Sequence, residues 1–91
     1  MDTATMLTAL KVDLGLSSTS YDGRLTQYLD GAASAIAREG ITLDETSIED
    51  GNLQVMYAAW LWRKRDSSEG MPRMLRTQLN NRLFSEKLKN D

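Results

Sequence analysis

The stretch Leu53-Gln54-Val55-Met56-Tyr57-Ala58-Ala59-Trp60-Leu61-Trp62 constrains the fold more than any other part of the chain. Projected at about 100° per residue, it makes a helix with no polar side, on which Trp60 and Trp62 point about 200° apart. Such a helix is either wrapped by others or carries two interfaces, one inside its subunit and one outside. It is far shorter than the ~20 apolar residues of a membrane span, so membrane association is not expected. In a small chain complete wrapping is difficult. Part of one face, Trp62 or Val55 and Ala59, is therefore expected to touch a partner subunit.

The remaining wrapping material is limited. A chain of 91 residues is a single domain that buries only about 60–65% of its unfolded surface, which makes oligomerisation a natural supplement to its stability. It has Cys 0 and His 0, so disulfides, the usual zinc ligands and the usual neutral-pH proton shuttle are all missing. The N-terminus shows no basic stretch followed by an apolar run, so cytoplasmic synthesis is the expectation.

Helical punctuation accounts for the rest of the sequence. A first helix is expected over about Thr3–Leu14, capped by Asp2 or Thr3, with Met6, Leu7, Leu10 and Leu14 on one face and Gly15 at its left-handed end. The run Ser17-Ser18-Thr19-Ser20 reads as a linker whose last members cap the next helix. That second helix spans about Asp22–Glu39 and stops at Gly40. Leu25, Tyr28, Leu29, Ala32, Ala33 and Ile36 lie at helical spacing, and Gly31 with its alanines admits a close neighbour. Ser47-Ile48-Glu49-Asp50 resembles a capping box, with Asp where Glu or Gln is usual, and opens a third helix ending near Arg65. Pro72 suits the first position of a fourth, which carries Leu75, Leu79 and Leu83 with Met74 and Phe84 beside them and frays from about Ser85. The expected architecture is all-α, a small bundle of about four helices with short loops.

Charge is unevenly distributed. Residues 1–50 hold three basic and nine acidic side chains, and residues 51–91 hold eight and four, within a net charge of −2. Arg63, Lys64 and Arg65 complement the carbonyl end of the third helix, and the fourth adds Arg73, Arg76 and Arg82. Asp44, Glu45, Glu49 and Asp50 suit the start of the third helix and lack the alternating ligands and glycine of a calcium loop. No Ser-x-x-Lys pair, glycine-rich phosphate loop or dinucleotide fingerprint occurs, so neither enzymatic activity nor a cofactor is expected.

Four segments, in order, carry a resemblance. They are Leu10-Lys11-Val12-Asp13-Leu14-Gly15-Leu16; Tyr21-Asp22 with Leu25, Leu29, Ala32, Ala33, Ile36 and Gly40; Tyr57, Trp60 and Leu61 before a basic helix end; and Met71-Pro72 with Leu75, Leu79 and Asn80-Asn81-Arg82-Leu83-Phe84. Over about Met6 to Phe84 their sequence and spacing are similar to the head-tail connector, or head-completion adaptor, family of long-tailed bacteriophages and prophages, also labelled DNA-packaging proteins. The Ala-rich half of the second helix departs from the bulkier residues expected there. The resemblance implies a structural subunit, made in the cytoplasm of a bacterial host, that joins a ring, twelvefold in the particle, at the head-tail junction of the virion. It also implies docking beneath the portal protein, extension of the DNA channel, retention of packaged DNA and a surface for the next head-completion or tail protein.

A ring closes by contact between two unlike patches, which the uneven charge supplies. The residues expected at a subunit or portal interface are Trp60, Trp62, Arg63, Lys64, Arg65, Arg73, Arg76, Arg82, Asp44, Glu45, Glu49 and Asp50, with the bases of the third and fourth helices meeting acids of the first and second helices on the neighbour. The same basic residues admit non-specific contact with packaged DNA. The alternative is a small helical DNA-binding regulator, although the net charge is negative and no helix-turn-helix pattern with a short glycine turn is evident.

Overall fold

The computed structural model describes residues 1–89 and forms four helices: α1 (Thr3–Leu14), α2 (Asp22–Arg38), α3 (Ile48–Lys64) and α4 (Arg73–Lys89). Each of the first two stops for the same physical reason. Gly15 and Gly40 adopt φ of 70° and 99°, a left-handed conformation that costs a residue without Cβ little. In both cases the glycine amide and the next amide turn back onto the last helical carbonyls: Gly15 N to Val12 O and Leu16 N to Lys11 O, and Gly40 N to Ala37 O and Ile41 N to Ile36 O. Ile36 and Ile41 are both buried, supplying the apolar contact that accompanies this turn. At the other end of α1, the Asp2 carboxylate accepts the Thr5 amide at 2.8 Å.

The central position of α3 follows from its apolar circumference. It packs against α1, α2 and α4, whereas α4 packs chiefly on α3 alone. Leu53, Val55, Tyr57, Ala58 and Ala59 are buried within the subunit. Val55 and Ala59, expected to touch a partner, are each only 3% exposed and lie at the bottom of hollows beside α3. The fully buried Leu10, Leu25, Leu29, Ile36, Ile41, Leu75 and Leu79 complete the core, each burial contributing about 1.5–3 kcal/mol of transfer free energy. No helix among the described residues is long and apolar enough to cross a membrane.

Four local expectations change. The serine linker bonds to itself, Ser20 N donating to Ser18 Oγ at 3.0 Å, and leaves α2 without a side-chain cap. Pro72 precedes α4, its carbonyl accepting the Arg76 amide. Instead of fraying at Ser85, α4 continues to Lys89, and its penultimate turn is braced by the Arg82–Glu86 pair four residues apart. Gly31 is exposed, and a Cβ there would meet nothing within 4 Å, so no neighbour uses the space. Gly31→Ala should therefore stabilise the protein by about 1 kcal/mol, raising Tm by roughly 4–8 °C in a calorimetric scan; a fall in Tm would mean that the position is occupied by another chain or a strained backbone.

The body is flat, with principal extents of 45 × 30 × 18 Å.

Candidate functional site

Sequence and folding bring two groups of the expected residues together and separate them by the length of α3. At its C-terminal end, Trp62 stands edge-on to Tyr21 and Tyr28 of the α2 side, at centroid distances of 5.4 and 5.8 Å. The Arg65 guanidinium lies 3.7 Å over the Trp62 ring, and its Nη1 donates to the Trp62 carbonyl. Trp60 leans the other way, edge-on to Tyr57, with Lys64 Nζ 4.2 Å over its ring and its Nε1 donating to Glu69 O at 3.4 Å. Both indoles are half-buried, and Arg63, Lys64, Arg65 and Arg73 are exposed. Arg63 Nη2 donates to the Asp13 carbonyl at 3.4 Å, joining α3 to the end of α1. This end is basic and aromatic, but its cations already cover the indole faces.

At the N-terminal end of α3, Ser47 caps the helix by accepting the Asp50 amide at 3.1 Å. Asp50 does not complete a capping box by reaching back to Ser47. Its carboxylate accepts the Asp44 amide at 2.8 Å and the Arg82 Nε and Nη2 at 2.8 and 3.1 Å. Arg82 also donates to Glu86 and to the Thr42 carbonyl, at 2.8 and 2.7 Å. Asp50 and Arg82, expected at an interface between copies, are instead joined inside one subunit, with side-chain exposures of 7% and 15%. Arg76 likewise pairs with Glu39 of its own chain at 2.8 Å, in a more open setting. Asp44 folds back on Thr46, while Glu45 and Glu49 are exposed. Among the described residues no group of three or more acidic side chains is placed to hold a metal ion.

The Asp50–Arg82 junction makes the fold acid-sensitive. Burial pushes the Asp50 carboxyl up, but the Arg82 hydrogen bonds and the Asp44 amide outweigh it and leave it below its ordinary 3.8. The Arg82 hydrogen bond also holds Glu86 below its ordinary 4.5, and both carboxylates keep Arg82 charged. A carboxyl depressed by folding stabilises in full above its unfolded value and loses that contribution as pH falls through the folded one. Tm should therefore hold steady down to about pH 5 and fall progressively below about pH 4; a profile flat to pH 2 would show that these pairs contribute nothing.

The helix wheel did not reveal a groove along α3. α1 and α4 flank α3 without substantial packing on one another, which leaves two adjoining hollows of about 540 and 300 Å³ that share Asp13 and Met56. Met74 of α4, 66% exposed, lines the smaller hollow, and Phe84 and Leu88, exposed by 64% and 59%, stand outside both. Their spacing places them on one side of α4, opposite Leu75, Leu79 and Leu83. The signal was present in the sequence as a second apolar stripe, but Met74 and Phe84 read as extensions of the inward one.

Comparison of the chain with protein-family models, curated proteins and solved structures gave no match.

Proposed function

We propose that the chain is a structural virion protein, a ring-forming subunit of a phage or prophage head-tail connector that docks under the portal. In this role it extends the DNA channel, helps retain packaged DNA and bridges to the next head-completion or tail protein. The observation that carries the reading is the double-sided α4. One apolar stripe holds it to α3, and Phe84 and Leu88 on the opposite side are left for another chain. A flat body favours the same reading. Trp62 contributes less than a free aromatic anchor would, because Tyr21, Tyr28 and Arg65 already cover it.

The exposed cations Arg63, Lys64 and Arg73 at one end favour the second reading, a DNA-binding regulator, or the channel-facing phosphate contact of a connector. Negative-stain electron microscopy of the concentrated protein, paired with a gel shift on random duplex DNA, separates these. Annular particles with weak, sequence-independent DNA binding support the connector. A discrete shifted complex on DNA, formed by a monomer or dimer with no annular particles, rejects it in favour of the regulator.

A further inference from the structure

The outer stripe of α4 and the groove along α3 are unlike surfaces of one chain, and they match. Phe84 and Leu88 lie one turn apart on the C-terminal half of α4, among the most exposed large apolar side chains of the protein. The groove offers an apolar floor, Met56 and Trp60, between α1 and α4. Charge agrees with shape. Arg63 lines the smaller hollow beside Asp13, whereas the larger one carries Asp13 and Glu49 without a base, and among the described residues neither carboxylate is in an ion pair. Lys87, between Phe84 and Leu88 in sequence, is exposed and has no ion-pair partner among those residues either.

We propose that the C-terminal half of α4 of one copy, led by Phe84 and Leu88, seats in the α1–α3–α4 groove of a second copy, with Lys87 meeting the acidic rim of Asp13 and Glu49. This is helix-in-groove recognition, in which exposed residues one turn apart anchor the helix. The occupant is a second copy because the two surfaces are complementary parts of one chain, the exposed Lys87 of α4 answering the Asp13 and Glu49 carboxylates of the groove. Because the two surfaces differ, the contact is heterologous and repeats head to tail, closing a ring when the rotation allows. The proposal rests on the connector reading only for the expectation that the chain assembles.

The chain has Cys 0, so introduced thiols can be followed without background. Asn81→Cys marks the outer face of α4 and Asn52→Cys marks the groove. When the two singly substituted proteins are mixed under mild oxidation, the mixed disulfide should form at least tenfold faster than either homodimer. Phe84→Asp or Lys87→Glu in the Asn81→Cys chain should suppress it by a similar factor with an unchanged helical circular-dichroism spectrum, and Glu49→Lys in the partner should rescue Lys87→Glu. A predominant Asn81→Cys homodimer would overturn the proposal in favour of α4–α4 pairing. Oligomers by light scattering without the mixed disulfide would overturn the contact and leave assembly standing. A monomer without cross-links overturns the proposed contact and self-assembly together, and the portal-docking part of the connector reading is then decided separately by co-sedimentation with purified portal rings.

Discussion

Asp50→Ala is expected to lower the free energy of unfolding by about 3 kcal/mol, far more than a surface ion pair is worth. The substitution removes the acceptor of both the Arg82 guanidinium and the Asp44 amide. It leaves a mostly buried cation, 15% exposed, with only Glu86 and the Thr42 carbonyl. Because α4 packs chiefly on α3, this junction and the Leu75–Leu79 stripe together determine how firmly α4 is held. Replacing both partners by apolar residues, Asp50→Leu with Arg82→Met, should recover most of the loss, since no charge is then buried unpaired. Urea unfolding followed by tryptophan fluorescence tests both. A loss below about 1 kcal/mol for Asp50→Ala would mean that the pair behaves as a solvated one. Arg76→Ala, which breaks the open pair with Glu39, provides the contrast and should cost about 0–1 kcal/mol.

Leu29→Ala should cost about 3–4 kcal/mol. Leu29 is fully buried on α2, and its carbonyl is held by the Gln54 side chain of α3 at 2.9 Å. The backbone there is pinned, so the cavity closes poorly, and the upper part of the large-to-small range applies. In a domain whose total stability is roughly 5–14 kcal/mol, Tm should fall by roughly 15–25 °C. A loss near 1 kcal/mol would show that α2 and α3 can collapse into the space.

The helices and their ends were largely legible because they depend on local chemistry. Gly15, Gly40, Asp2 and Ser47 act within a few residues of themselves, and each lies where the reading put it. The central position of α3 was legible as well, since an apolar circumference has few other uses, but not how closely the chain's own helices cover Val55 and Ala59. Long-range pairing was not. Asp50 reads as one member of a local cap, and nothing within four residues announces that Arg82, 32 positions away, will take its carboxylate. The same limit misread the charge division. Part of it is neutralised inside the subunit, because Arg76–Glu39 and Arg82–Asp50 each join a base of the second part to an acid of the first. The groove could not be read from any single helix, because it consists of the missing contact between α1 and α4.

The proposed assembly of the chain with copies of itself is tested by size-exclusion chromatography with multi-angle light scattering, from micromolar to millimolar protein and from low to high salt. Species several times 10.2 kDa should appear as concentration rises and shift toward smaller mass as salt screens the Lys87–acid contacts. A mass of one chain at every concentration and salt would contradict self-assembly.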